Sequence, residues 1–306
     1  MIIIWQLKRL MSNIGIWQSL FAPVGVGWTL TQIAIQMGYE SILAPYLFLL
    51  WYLMPLGLIV GGYIYWPKRS SSKTLPNLDT EIEIRVGDIF SSKAPIVVTI
   101  PTTLETEFHS NAISEDSIQG QYTKKYCKDP SVLKLCLQKL VQDNNDFSTV
   151  KNFYSNGGDV RKYKPGEVLV IREFDRIAYC TTFASFNEHG TAQISQQEFY
   201  DLLPKMWMGI REKGEFGSVD VPLIGSRFAR TGISRNKDIL RELVYSLSVA
   251  SADARLADKV TFFIRPSDFT RWGFSFEFIE RLLLNVCDEH QQRMMENGSI
   301  GQPLDV

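Results

Sequence analysis

VPLIGSRFARTGISR, residues 221 to 235, is an apolar run that breaks at Gly225 into a short segment holding two arginines, then meets Gly232 and a helix-capping serine at 234. Apolar runs of this kind feed buried strands, and the glycines permit backbone shapes that a residue with a Cβ resists. The stretch therefore predicts a strand, a tight loop and a helix start. Such a loop can aim several backbone N–H groups at one point, and Arg227 and Arg230 add positive charge, so a phosphate is one natural occupant. A solvated turn with its arginines in water is the other reading of the same residues.

Outward from this loop, strand and helix signals alternate. EIEIRV (81 to 86) alternates charged and apolar residues, and PIVVTI (95 to 100), EVLVI (167 to 171), IAYCTTF (177 to 183), VDVPLI (219 to 224) and VTFFI (260 to 264) are apolar runs of strand length. Between them, Ser195 and Glu198 form a capping box ahead of Phe199, Leu202, Leu203, Met206, Trp207 and Ile210 at helical spacing, with Pro204 as a potential kink. Ile239, Leu240, Leu243, Val244 and Leu247 repeat the pattern after Ser234, and a last helix is expected over 275 to 295. The alternation predicts an α/β layered domain with a mainly parallel or mixed sheet, whose ligands gather beyond the carboxyl ends of the strands.

The first 69 residues are of a different character. Residues 41 to 66, SILAPYLFLLWYLMPLGLIVGGYIYW, run for 26 positions without a charge, longer than the roughly 20 a spanning helix needs. Residues 11 to 39 also lack charges but carry polar groups. Gln18, Gly25, Thr29, Gln32 and Gln36 recur at intervals of 7, 4, 3 and 4, which is one helical face. That stripe suits helix–helix contact, either within an assembly, where it could line a watery path, or against the second helix of the same chain. Two transmembrane helices, about 14–36 and 42–66, are expected. Lys8-Arg9 before them and Lys68-Arg69 after them place both ends of the hairpin on the cytoplasmic side. Residues 70 to 80, SSSKTLPNLDT, read as a linker to a cytosolic domain over 81–306.

The bulk numbers exclude several classes. Net charge is −1 over 306 residues, with +3 in residues 1 to 69 and −4 in the rest, so charge gives no case for nucleic acid binding. Cys127, Cys136, Cys180 and Cys287 are widely spaced, without a C-x-x-C pair or a histidine at metal-ligand spacing. Reduced thiols are expected, and no metal.

Three pieces fall in order along the second part: VGDIF (86 to 90) after a first strand, the polar loop SEDSIQGQYTKKY (114 to 126) ahead of a helical segment, and PLIGSRFARTGISR after a late strand. Their order resembles the macro domain, the α/β module that binds ADP-ribose. With the N-terminal hairpin the chain looks like the membrane-anchored effectors of type II Thoeris anti-phage systems. The resemblance implies a macro-domain-like layered fold, a mixed sheet flanked by helices, behind a two-helix transmembrane hairpin. It implies that Asp88 and Ile89 hold the adenine, that Ser117, Ile118, Gln119, Gly120 and Gln121 form a first phosphate loop, and that Gly225, Ser226, Arg227, Phe228, Ala229 and Arg230 form a second. Ser110 and Asn111 would approach the ribose.

By the same resemblance, the domain senses an ADP-ribose derivative such as histidine–ADP-ribose, made from NAD by a TIR-domain partner, and needs no cofactor. Homo-oligomers would then form through Gln18, Gly25, Thr29, Gln32 and Gln36 and disrupt the membrane, its lipid being a partner. Catalytic macro domains carry an Asn-rich stretch after the second strand, where this chain has PTTLETE (101 to 107), and their glycine-rich second loop here reads GSRFAR. A sensor is therefore expected and no catalytic residue; a membrane-tethered ADP-ribosyl hydrolase is the rival.

Overall fold

The computed structural model describes residues 2–39, 50–76, 78–108, 113–142, 147–151, 159–186, 192–225, 233, 235–252 and 254–300. The chain divides into two units, Met1–Arg69 and Ser70–Val306.

The first unit is helical: α1 (Ile2–Met11), α2 (Ile14–Gln36) and α3 (Leu50–Ile64). Asn13 caps α2 by accepting from Gly15 N, and α2 spans 14–36. Of the second predicted segment, 42–66, residues 42–49 lie outside the described residues, and the described part is α3 with Pro55 inside it. The two helices meet through small residues. A Cβ added at Gly57 would stand 2.3 Å from the Ser19 carbonyl oxygen, and one at Gly61 would stand 2.7 Å from Ser19 Cβ. Gln18, Gly25, Thr29, Gln32 and Gln36 are all exposed, while Gly15 and Ile16 are buried. Among the described residues the α2–α3 contact therefore runs through Gly15, Ile16 and Ser19 on one side and Gly57 and Gly61 on the other, with the polar stripe exposed. Among the described residues no helix is long and apolar enough to cross a membrane. The polar stripe dilutes α2, and the described α3 has only 15 residues.

The second unit opens with a strand where a linker was expected. β1 (Ser70–Thr74) pairs antiparallel with β2 (Glu81–Val86), Ser70 opposite Arg85 and Thr74 opposite Glu81. Serine and threonine tolerate an edge strand, and the segment is fixed beyond it: Leu75 is fully buried and Thr80 Oγ1 donates to the Ala257 carbonyl at 2.9 Å. The predicted strands follow as β3 (Ile96–Pro101), then, after α4 (Ile118–Tyr122) and α5 (Pro130–Leu140), a separate hairpin of β4 (Phe147–Lys151) and β5 (Asp159–Tyr163). β6 (Val168–Ile171), β7 (Ala178–Phe186), β8 (Ala192–Gln193), α6 (Gln196–Lys213), β9 (Ser218–Pro222), α7 (Asn236–Ala252), β10 (Lys259–Ile264), α8 (Pro266–Arg271) and α9 (Phe276–Ile300) complete it.

The main sheet runs β1-β2-β10-β9-β3-β7-β6, with β8 on β7. From β2 to β7 neighbouring strands are parallel, and the outer pairs β1/β2 and β6/β7 are antiparallel. Both faces are covered, which is why the inner strands read as unbroken apolar runs. Ile96, Val98 and Ile100 pack with Tyr122, Leu133 and Leu137 of the α4–α5 side. On the opposite face Phe262 meets Trp207 edge-on, 6.2 Å between centroids, and Phe183 meets Phe199 at 5.6 Å. The capping box of α6 is complete, with both Ser195 and Glu198 bonds made, and the helix runs on through Pro204.

One buried histidine ties α9 to α7. His290 is 0% exposed, and its Nδ1 lies 3.3 Å from Ser248 Oγ. Burial pushes its imidazole below the ordinary value. The unfolded chain takes up a proton near pH 6.5 while the folded unit resists it, so stability is full above that pH and falls as pH drops through it. Urea midpoints of the second unit at pH 7.5 and 5.5 should show this loss, and His290→Gln should reduce it; an unaltered pH dependence in the variant would assign the effect to other groups.

Candidate functional site

β2, β9 and β10 end side by side because they are parallel and in register: Val86 lies opposite Ile264, and Pro222 opposite Phe263. Their carboxyl ends, as the topology rule requires, frame a concave pocket. From β2 come Gly87, Asp88 and Ile89, and from β9 come Pro222 and Leu223. β10 and the residues after it supply Phe263, Ile264, Arg265, Asp268 and Trp272, while Ile118 and Gln121 of α4 close the remaining side. The space between them is about 450 Å³, open mouth included.

Each wall has a local cause. Gly87 N donates to the Ile264 carbonyl at 2.9 Å, carrying the β2/β10 pairing one step past the strand. Asp88 Oδ1 then accepts from Phe90 N at 2.9 Å and caps a single 3-10 turn, Ile89–Ser91. A carboxylate offers about four acceptor positions, so this bond leaves capacity for a ligand N–H. Ile89 is held from behind: Arg176 donates through Nη1 to the Ile89 carbonyl at 3.0 Å, through Nε to the Ala94 carbonyl at 2.6 Å, and through Nη2 to Asp220 Oδ2 at 2.6 Å. Lys125 Nζ donates to the Phe90 carbonyl at 2.6 Å and lies 5.7 Å from the Phe90 ring.

The loop before α4 is built by its own side chains. Ser117 Oγ accepts from Gly120 N at 2.9 Å, the N-cap of α4, and donates to the Ser114 carbonyl at 2.6 Å. Gly120 is where the chain doubles back, since a Cβ there would stand 2.4 Å from the Ser114 carbonyl oxygen. Gln119 is buried and its amide donates to the Glu105 carbonyl at 2.8 Å. Gln121 donates to the Asp116 carbonyl at 2.7 Å and lines the pocket.

Of the residues expected at the site, Asp88, Ile89, Ile118 and Gln121 line one pocket; Ser117, Gln119 and Gly120 shape its wall from outside it. Gly225 has a left-handed φ of +81°, which its lack of a Cβ accommodates. Ser110, Asn111, Ser226, Arg227, Phe228, Ala229 and Arg230 lie outside the described residues.

Phe263, Arg265, Asp268 and Trp272 were not anticipated. Arg265 Nη2 donates to the Asp116 carbonyl at 3.5 Å and its Nε lies 3.7 Å from Asp268, so it bridges the end of β10 and the loop before α4. Their sequence does carry a signal, since VTFFI, a strand run, is followed directly by Arg265 and a Pro266 that starts a helix.

The pocket therefore combines two carboxylates (Asp88 and Asp268), the Arg265 guanidinium and the Gln121 amide with the rings of Phe263 and Trp272. No serine, cysteine, histidine or lysine lines it among the described residues, which also contain no cluster of three or more metal-ligating side chains.

Residues 82–265 match the family model described as "Thoeris protein ThsA, Macro domain". The chain is 25% identical over 205 residues to the Thoeris protein ThsA of Bacillus amyloliquefaciens (strain Y2), a match that covers 64% of this chain and 66% of that protein's length. Similar solved structures include the Oceanobacillus iheyensis macrodomain with ADP, at 15% identity and TM-score 0.42 over 74% of this chain and 97% of that one. Another is the Trypanosoma brucei macrodomain in complex with ADP-ribose, at 12% identity and TM-score 0.41 over 67% and 68%. Because the family match takes in more than half of the residues, from β2 to the arginine that ends β10's run into the pocket, the chain belongs to the Thoeris ThsA macro-domain family.

Proposed function

We propose that this protein is a membrane-anchored effector of anti-phage defence, in which the pocket of the second unit receives an ADP-ribose derivative as a signal. The pocket at the ends of β2, β9 and β10 carries the reading. Asp88 beside Ile89 suits an adenine edge, since its carboxylate can accept from an exocyclic amine, and Phe263 and Trp272 offer faces for a ring. Ser226 to Arg230 would take the diphosphate, with Arg227 and Arg230 as guanidinium partners. On this reading the domain senses and does not hydrolyse, because PTTLETE (101 to 107) stands where catalytic macro domains carry an Asn-rich stretch. A TIR-domain enzyme would supply the signal from NAD.

The first unit is the membrane part of the same proposal. Trp28, Leu30, Ile33, Leu56, Ile59 and Tyr63 are exposed on α2 and α3, an outer surface suited to lipid. The polar stripe is exposed as well, which makes it available for contact with further copies. Ligand binding must favour the assembled state over the resting one, or it shifts nothing. Replacing both Gln32 and Gln36 by Leu is expected to abolish growth arrest with ligand affinity unchanged. Undiminished arrest would remove the stripe from the mechanism.

Calorimetric titration of the detergent-solubilised chain with ADP-ribose and with histidine–ADP-ribose tests the sensor. Tight binding with the ligand recovered intact is expected. Asp88→Asn keeps an acceptor for Phe90 N but loses the charge, which should weaken binding about 10- to 100-fold for one charge-assisted hydrogen bond worth about 1.5–3 kcal/mol. Recovery of a cleaved ligand would establish the hydrolase instead.

A further inference from the structure

We infer that α1 is an interfacial anchor that lies on the anionic leaflet of a phospholipid bilayer, an inference that rests on the membrane reading of the first unit. α1 has ten residues, about 15 Å of helix, half of what is needed to cross a hydrocarbon core of about 30 Å. Its sides are sharply different. Ile3, Ile4, Leu7 and Met11 form one arc and are 59%, 71%, 46% and 48% exposed. Gln6 and Leu10, on the flank beyond Ile3, are buried at 0% and 5%. Four large apolar side chains turned outward on a helix this short need a partner, and water is a poor one.

Gln6 sets where along the unit this arc lies. Its Nε2 donates to the Pro67 carbonyl at 3.0 Å, and its Oε1 accepts from Arg69 Nε at 2.7 Å. A buried amide satisfied at both ends is costly to release. It fixes α1 at the end of the helical unit where the chain leaves α3, beside Lys68 and Arg69, and not along its length.

Charge then selects the occupant. Lys8 is exposed at the edge of the apolar arc, and Arg9 lies 5.5 Å over the Trp5 ring. Residues 1 to 39 contain no acid at all. An apolar arc edged by lysine, with a tryptophan and further basic residues at the same end, is complementary to the headgroup boundary of an anionic leaflet. There the lysine stem can lie along acyl chains while its ammonium reaches phosphate.

The test uses the full chain with Cys136 and Cys287 replaced by alanine and a polarity-sensitive fluorophore on Leu7→Cys, or on Ile4→Cys should the first variant misfold. Val26→Cys in the middle of α2 is the second reporter. The chain is reconstituted into vesicles of phosphatidylethanolamine and phosphatidylglycerol carrying doxyl quenchers either near the headgroup or near the chain end. The α1 reporter should be quenched severalfold more strongly by the shallow label, and the α2 reporter by the deep one. Quenching of the α2 reporter alone would overturn the α1 inference and leave the membrane reading standing. Deep quenching at α1 would make it an inserted segment, which also overturns the inference. Absence of quenching at both would remove the membrane reading itself. Shallow quenching at α1 that is unchanged in phosphatidylcholine vesicles would overturn the commitment to an anionic leaflet.

Discussion

An Arg176→Ala chain should lose about 3–5 kcal/mol of stability in the second unit, the cost of stranding one member of a buried ion pair. Arg176 and Asp220 have side chains only 1% and 3% exposed, at 2.6 Å. Burial raises the Asp220 carboxyl above its ordinary value, with the Ser92 hydrogen bond and the Arg176 guanidinium opposing the rise. The variant leaves that carboxylate with its main partner gone and deprives the Ile89 and Ala94 carbonyls of a donor. Urea unfolding should show a lower midpoint with an unchanged slope. The second consequence is local: Ile89 sits in the pocket wall, so ligand affinity should fall beyond what destabilisation explains. A double variant, Arg176→Met with Asp220→Leu, separates the two effects. Apolar replacement of a whole buried pair is often neutral, so stability should recover substantially. Affinity should not, because the Ile89 carbonyl is then left with the Ser92 N–H at 3.3 Å alone and has lost the guanidinium that holds it from behind. Recovery of both would reduce Arg176 to a stability element.

Arg176 also marks the limit of what the sequence discloses. It lies in REFDRIAY and pairs with an aspartate 44 residues away, in the middle of another strand, and no local pattern announces such a partner. Short-range physics was legible. The apolar runs became strands, the Ser195–Glu198 spacing became a complete capping box, and α2 took residues 14–36 because Asn13 caps it. What failed lacked a local signal. β1 hides in serines whose pairing with β2 is set by the register of the sheet, and FSTVK and DVRKY carry too little apolar content to read as β4 and β5. At the site, the Gly-Asp-Ile turn and the loop before α4 were visible as motifs, but motif spacing does not tell which way a side chain points. Gln119 turns inward to the Glu105 carbonyl, while Gln121, two residues on, faces the pocket. The Trp272 wall needed the sheet order, which brings β10 between β2 and β9.

The first unit makes a prediction whose sign depends on position alone. Gly57→Ala should loosen the α2–α3 pair, and Gly62→Ala, five residues along the same helix, should not. In open helix the exchange of glycine for alanine is favourable by up to about 1 kcal/mol. A Cβ at Gly62 meets nothing within 4 Å, so that gain stands. A Cβ at Gly57 meets the Ser19 carbonyl oxygen at 2.3 Å and Ser19 Cα's neighbour, Leu20 Cα, at 3.2 Å. These are backbone atoms of a continuous helix, so the helices must separate, at a cost of about 1–3 kcal/mol for overpacking. Thermal unfolding or limited proteolysis of the detergent-solubilised chain should rank Gly62→Ala at or above the parent and Gly57→Ala well below it. Gly61→Ala supplies the internal control, because its Cβ meets Ser19 Cβ at 2.7 Å, a side-chain atom. Adding Ser19→Gly should therefore rescue Gly61→Ala and leave Gly57→Ala defective, since the carbonyl that blocks it is still there. Rescue of both, or of neither, would mean that the helices do not meet through this small-residue seam.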